Sequence, residues 1–418
     1  MLDIKFIREN IEIVKKAAKD KNREVDLDKL LDLDEKKRRL IGEIEKLRSE
    51  RNKLAESKIE NHESKIRERG KQLKEEIKNL EEKLKPISNE LENLLLLVPN
   101  VPDHDVPIGK DSSGNIEIRK WGKVPKFNFP PLNHIEIAKK LDLVDFERGA
   151  KIGGFRTYFL KNEGALLELA VLFYTFQKLA KKGYIPIIAP SLVKEFTLIG
   201  SGQFPWGREE VYRIERDDLY LAGTAEVPVT AYFADEILEE KDLPKKLVAF
   251  SPCFRREAGS YGKDTKGLYR LHQFNKVEQV IINKNDYDSS IAFHEEMLAN
   301  AEGILQDLEL PYRVMLMCTG DMGEPQVKKY DIETWMPARL SYGETMSDSF
   351  MGDFQTRRLN IRYKTAKGEV KFAHSLNNTA IASPRILIAI LENYQQKDGS
   401  VLVPKVLRAY LGKEIINA

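Results

Sequence analysis

The sequence predicts an α+β protein, with an antiparallel β-sheet domain preceded by an N-terminal arm of two antiparallel helices. Three observations carry that prediction. Between Phe6 and Trp121 there is no Phe, Tyr or Trp, and no proline precedes Pro86, although the rest of the chain is rich in both. Within that stretch, apolar residues recur at alternating steps of three and four, as in a coiled-coil seam. After residue 136, helical patterns and β-rich stretches follow one another with turn signals between them, without the regular strand–helix alternation of a doubly wound sheet.

The seam of the second helix runs Ile66, Leu73, Ile77, Leu80, Leu84, Ile87, Leu91, Leu94 and Val98. An upstream series, Leu33, Leu40, Ile44, Leu47 and Leu54, keeps the register but places Lys37 and Arg51 at two seam positions. A break near Asn61-His62 separates the two, so a hairpin folded on itself buries both stripes, as a rod of roughly 50 Å. Pro86 inside the second stripe is expected to bend that helix or interrupt its hydrogen bonds.

Charge on the rod is uneven. Residues 46–74 carry ten basic and five acidic side chains, while the remainder of 27–98 carries eight and twelve. A basic tip suits a phosphate backbone, because each neutralised phosphate releases counterions. The candidate contacts are Lys46, Arg48, Arg51, Lys53, Lys58, Lys65, Arg67 and Arg69. On composition alone, a solvated spacer or a dimerising zipper stays open.

These patterns divide the chain into an N-terminal domain, 1–110, with its arm at about 27–98, and a second domain, 111–418. The segment 98–109, Pro- and Gly-rich, reads as the linker. In the second domain, helices are expected at 163–183, 287–308 and 383–396, and strands around Leu247, Val277, Tyr312 and Ile361. Gly153-Gly154 lacks the strand, spacing and lysine of a phosphate-binding loop.

Composition excludes several classes. The chain has 418 residues, 42% hydrophobic and 32% charged, which leaves room for two or three domains. No apolar run approaches the roughly 20 residues that span a bilayer, and the charged, apolar start fits neither a signal peptide nor a transit segment. A cytoplasmic protein without membrane contact is expected. Cys253 and Cys318 stand far apart, so neither a disulfide framework nor a structural zinc is expected. Net charge is +2, so only the distribution of charge speaks to nucleic acid.

The stretch Phe254-Arg255-Arg256-Glu257, a loop rich in Gly and Lys, and then Arg270 to Glu278 reads as two strands joined by a basic hairpin loop. Guanidinium groups for phosphate, a carboxylate for an amino group and a ring for stacking are what a nucleotide site needs. A surface ion-pair network is the plainer reading of the same residues.

The wording of this stretch, FRREAGSYGKDTKGLYRLHQFNKVE, resembles motif 2 of class II aminoacyl-tRNA synthetases, in its seryl-specific form. Gly223-Thr224-Ala225-Glu226 is similar to that family's serine-binding loop. Residues 376–395, from Asn377-Asn378-Thr379-Ala380 through Pro384-Arg385, resemble motif 3. Residues 170–192, ending in a strand and Pro190, resemble motif 1, and motif 2 covers about 249–279. The arm and the tail at Val403-Pro404 extend the resemblance over essentially the whole chain.

The resemblance implies a role for each matching position. Arg255, Arg385 and Glu344 are the implied catalytic residues. Arg255 would hold the α-phosphate and Arg385 the γ-phosphate, so that attack is in line. Arg256, Glu257, Leu271, Phe274, Thr345, Met346 and Ser347 complete the implied ATP site, with Glu257 on the adenine amino group and Phe274 stacked on the ring. Glu344 and Ser347 would share Mg²⁺ with the phosphates. Met346 stands where a serine is more usual. Thr224, Ala225, Glu226, Glu278 and Thr379 are the implied serine pocket, which rejects alanine because its acceptors would be left unpaired.

The implied activity is formation of seryl-adenylate from serine and ATP, then transfer of serine to tRNA(Ser), by a homodimer whose arm embraces the long variable arm of the tRNA while the acceptor end enters the catalytic site. The resemblance leaves open whether tRNA(Sec) is also charged. His272 and His374 lie near the motifs without a nucleophile pattern and are expected to be structural. One alternative is a synthetase-like amino acid:carrier protein ligase. Another is a coiled-coil protein with a catalytically dead domain, against which the retained Arg255, Glu257, Glu344 and Arg385 argue.

Overall fold

Up to Leu97 the described part of the aromatic-free stretch is mainly helix. Two short helices, Ile4–Glu9 and Ile11–Asp20, bury Ile7, Val14, Ala17 and Ala18 and precede the long pair α1 (Leu27–Glu56) and α2 (Glu63–Leu97). The structure, a computed structural model, describes residues 1–56, 63–260 and 266–417. The expected break at Asn61-His62, and Lys58, lie outside the described residues, as does the side chain of Lys65.

Seam residues bury as the spacing requires: Leu33, Leu40 and Ile44 on α1, and Leu73, Ile77 and Leu91 on α2. Ion pairs Lys29–Glu90 (2.5 Å), Arg48–Glu81 (2.7 Å) and Arg69–Glu50 (2.9 Å) link the helices. Their numbers rise on one helix as they fall on the other, so the pair is antiparallel. Helix α2 runs through Pro86 without ending there. Proline removes one ladder hydrogen bond, and the seam packing of Leu84, Ile87 and Leu91 around it holds the helix together.

The chain divides into compact units between Pro99 and Asn100. Residues 100–110, which the sequence reading assigns to the first domain, group with the second unit. Asn100 explains why: its Nδ2 donates to the carbonyls of Pro325 (2.9 Å) and Met351 (2.8 Å), and its backbone N–H to Glu324 O (2.8 Å).

The second unit is built on an eight-stranded sheet. Its strands in chain order are β1 (Ile116–Trp121), β2 (Ile185–Ile188), β3 (Lys245–Phe254), β4 (Gln273–Asn283), β5 (Tyr312–Leu316), β6 (Lys328–Met336), β7 (Ser341–Gly352) and β8 (His374–Ala382). They lie in the order β1-β5-β6-β7-β8-β4-β3-β2, antiparallel throughout except for the parallel edge pair β2–β3. The β-rich stretch at Ile361 forms a short strand, Arg362–Lys364, in a separate three-stranded sheet.

Helices α4 (Asn162–Lys181), α5 (Tyr287–Asp307) and α6 (Arg385–Asn393) pack with the sheet into the main core, and α3 (His134–Lys140) packs beside α6. Alternation along β4 sorts its side chains. Val277 and Ile281 enter the main core, whereas Val280 and Ile282 join a second cluster with Ala225 and Phe233. Phe274, Lys276 and Glu278 share the parity of that second face, and the candidate site is built on it.

Candidate active site

Strand irregularities select which side chains face the site. β6 and β7 pair Asp331 with Ser347 and Ile332 with Met346, then slip so that Glu333 opposes Glu344. Residues three apart on a regular strand point to opposite faces, but the extra residue at this bulge puts Glu344 and Ser347 opposite two alternate residues of β6, and so on one face. Met346 falls on the other face, buried with Ile332 in the main core. The Thr345 hydroxyl hydrogen-bonds Thr334 Oγ1 (2.7 Å) and Ile332 O (3.2 Å). Thr345 and Met346 still line the cavity described below, although the hydroxyl of the first is hydrogen-bonded and the side chain of the second packs in the main core.

A second slip, between β4 and β8, brings Thr379 opposite Glu278 and sends Ala380 into the core. Thr224 Oγ1 donates to Glu278 Oε2 (2.5 Å), which also accepts the Glu226 N–H (2.9 Å). Lys276, 3% exposed, lies 2.8 Å from Glu278 Oε1 and donates to Thr224 Oγ1 (2.7 Å) and Thr379 Oγ1 (3.3 Å). Ala225 is fully buried in the second cluster and brings no side-chain chemistry to the pocket. Glu226 accepts from Gln355 Nε2 (2.7 Å), and burial, reinforced by the neighbouring Glu278 charge, raises its carboxyl to about 7.

Next to this polar group lies a cavity of about 260 Å³ whose wall includes Arg255, Glu257, Phe274, Glu344, Ser347 and Arg385. Leu271 and Thr379 also line it, so it adjoins the Thr224–Glu278 cluster. Arg255 follows the end of β3, donates from Nε to Gly223 O (3.2 Å) and sits 5.2 Å from the Phe274 ring centroid. Arg385 opens α6. Its Nε donates to Tyr269 O (2.9 Å), its Nη1 reaches Glu344 O (3.0 Å) and Oε2 (3.2 Å), and its guanidinium lies 4.4 Å from the Tyr269 ring centroid.

Charge in the cavity is balanced by opposites. Burial works against the Glu344 charge, but Arg385, Lys329 and Arg255 hold its carboxyl below the usual range. Asp331 is pushed up to about 7 by burial, with Lys329, 3.0 Å away, opposing the rise and Glu344 adding to it. Glu257 adopts φ +54°, a left-handed conformation that costs energy in a non-glycine residue. Its carboxylate accepts from Arg270 Nη1 at 2.5 Å.

Not every expected side chain reaches the cavity. Arg256 is exposed and absent from its wall, and its backbone N–H is tied to Glu210 O (2.9 Å). His272 Nδ1 contacts Arg255 O (2.9 Å), and His374 Nδ1 contacts Ser290 Oγ (2.9 Å). Sequence reasoning missed Lys276, Lys329, Asp331, Tyr269 and Gln355. Lys276 was recoverable, since period two places it between Phe274 and Glu278; the others had no local signal. Among the described residues, no group of three or more His, Cys, Asp or Glu side chains is placed to hold a metal by itself.

An antiparallel sheet with one arginine just after a strand and another at the head of a helix, both lining one cavity, fits a class II aminoacyl-tRNA synthetase core. The family model for the class II core domain of the G, H, P, S and T synthetases matches residues 210–394, and that for the seryl-tRNA synthetase N-terminal domain matches 1–102. The serine–tRNA ligase of Deinococcus radiodurans is 48% identical over 421 residues, covering 100% of this chain and 99% of its own. The seryl-tRNA synthetase of Pyrococcus horikoshii, solved with ATP, superposes with a TM-score of 0.92 at 39% identity, covering 100% and 99% of the two chains. The cytoplasmic enzyme of Naegleria fowleri, solved with AMP, gives 0.89 at 34% identity, with 100% and 99% coverage. The chain belongs to the seryl-tRNA synthetase family of ATP-dependent aminoacyl-tRNA ligases. Nothing in these matches supports a carrier-protein ligase.

Proposed function

We propose that the chain activates L-serine with ATP and transfers the seryl group to the 3′-terminal ribose of tRNA(Ser), with the residues of this cavity and its adjoining polar pocket performing the first step. The observation that carries the reading is the convergence of Arg255, Phe274, Glu344 and Arg385 on one cavity, from segments far apart in sequence, beside Thr224, Glu278 and Thr379.

The adenine ring stacks on Phe274. Arg385 holds the γ-phosphate and Arg255 the α-phosphate, so the serine carboxylate attacks the α-phosphorus and pyrophosphate leaves in line. Preset by Tyr269 and Glu344, the Arg385 guanidinium needs little rearrangement as charge develops. Glu226 and Glu278 receive the serine ammonium, and Thr379 and Glu278 its hydroxyl. A terminal ribose hydroxyl of the tRNA then attacks the seryl carbonyl and AMP departs.

Glu344 and Ser347 fit a divalent site of the kind completed by substrate, since the bulge places both oxygens on one face and Glu344 is held ionised. These two residues would hold Mg²⁺ with the substrate, and it would supply neutralisation of phosphate charge. The basic tip of the arm binds the tRNA backbone, and a homodimer forms through α4 and β2. Cytoplasmic location agrees with the absence, among the described residues, of any helix long and apolar enough to cross a membrane.

Amino-acid-dependent ATP–pyrophosphate exchange across the twenty amino acids, followed by charging of tRNA, tests the reading. Exchange with serine alone and seryl-tRNA formation are expected. Exchange with another amino acid, or transfer only to a carrier protein, would overturn it.

A further inference from the structure

The motifs draw attention to His272 and His374, yet a third histidine touches two of them at once. His134 opens α3, after the capping residue Asn133. Its side chain, 13% exposed, has Nδ1 3.0 Å from Glu392 Oε1 on α6, while Nε2 accepts the Leu268 N–H at 3.2 Å. A carboxylate only accepts and an amide N–H only donates, so these partners assign the hydrogen to Nδ1 and leave Nε2 bare.

Both ends of this contact are built in. Glu392 is 1% exposed and also receives the backbone N–H groups of His134 and Ala338, each at 3.0 Å. Gly267 has φ +80°, and a Cβ there would stand 2.2 Å from His134 Nε2. Only glycine lets the chain come this close to the ring. One residue beyond Leu268 is Tyr269, whose carbonyl and ring together seat Arg385.

We propose that His134 is a positioning residue for the phosphate clamp: by accepting the Leu268 N–H it fixes the Tyr269 seat on which the Arg385 guanidinium rests. The proposal rests on the reading of Arg385 as that clamp. The competing role for the ring is to tie α3 to Glu392, with no consequence for Arg385.

Three variants separate these roles. His134→Gln puts an amide oxygen near the place of Nε2 and keeps the acceptor, whereas His134→Asn puts an amide N–H near Nδ1 and keeps the donor to Glu392. His134→Leu removes both. The readouts are kcat of serine-dependent exchange, KM for ATP and for serine, and melting temperature. The Gln variant is expected to stay within about threefold of wild type, while the Asn and Leu variants lose kcat by about tenfold or more with serine KM unchanged, as for a misplaced phosphate contact.

Activity kept by Asn and lost by Gln, or kept by Leu, would overturn the proposal. So would losses that follow only the folded fraction. In the unmodified protein, ¹⁵N-labelled histidine should show a bare Nε2 at His134, and a hydrogen found there would overturn it without any variant. Wild-type protein lacking exchange, or Arg385→Ala keeping it, would remove the functional reading as well. The His134 series can fail while both of those hold.

Discussion

Arg385 and Arg255 enter the cavity preset, the first on Tyr269 and Glu344 and the second against Gly223 and Phe274. Preorganised cations act mainly as charge builds in the transition state, so Arg385→Ala and Arg255→Ala are each expected to lower the rate of serine-dependent exchange by about a hundredfold or more. Near-normal exchange in a folded variant would remove the assignment. Glu226 carries a pH dependence. Its raised carboxyl, near 7, is faced by Glu278, Lys276 and Arg255 and hydrogen-bonded by Gln355. The neutral form cannot pair with an ammonium, so KM for serine should rise as pH falls through about 7 and level off above it, with KM for ATP changing less. Glu226→Gln should flatten that profile; an unchanged profile would assign it to another group. The residue types that meet at the cavity were legible because motif wording fixes them at fixed spacing. Tyr269 escaped because its partner Arg385 is distant in sequence and meets it only in the folded chain.

At the scale of elements, the arm is expected to act apart from the adenylation chemistry. Its seam was readable from spacing alone, since a two-helix hairpin needs only local periodicity and a turn. Which basic residues are available was not. Arg48 pairs with Glu81, and Arg69 with Glu50 and Glu76 (3.0 Å), whereas Lys46, Arg51, Lys53 and Arg67 are exposed and make no ion pair among the described residues. Neutralising these four should weaken tRNA binding and flatten its salt dependence, by a slope of roughly 0.7 to 0.9 for each phosphate no longer neutralised. Neutralising Arg48 and Arg69 should instead loosen the hairpin. Replacing residues 36–90 with a short turn should leave exchange close to wild type and sharply reduce tRNA charging. Normal charging by that variant would separate the arm from tRNA recognition.

For the whole molecule, the proposed dimer is argued from what α4 leaves exposed. Leu166 (48%), Leu169 (59%) and Phe173 (52%) lie at helical spacing along its surface, and Ile185 (55%) and Ile188 (78%) project from the edge strand β2. A contiguous apolar face on a helix and an unpaired strand edge suit a two-fold interface between identical copies. Sedimentation should give a dimer at micromolar concentration, and Leu169→Asp with Phe173→Asp should shift it to monomer. A wild-type monomer would contradict the proposal. The opposite face of α4 puts Leu167, Val171 and Leu172 in the main core, so the helix is apolar on two sides; periodicity reports only the helix, and the resemblance of residues 170–192 to motif 1 is what implies a dimer interface there.

Local periodicity and short motifs were enough to establish the helical arm, the antiparallel α+β class, the family and the residue types of the site. Which of those residues face one another was set by strand pairing in the folded sheet. Two register slips place Ser347 beside Glu344 and Thr379 beside Glu278 while sending Met346 and Ala380 into the core. A single extra residue in a strand inverts every side chain beyond it, and whether the partner strand absorbs that residue depends on pairing energies summed across the whole sheet.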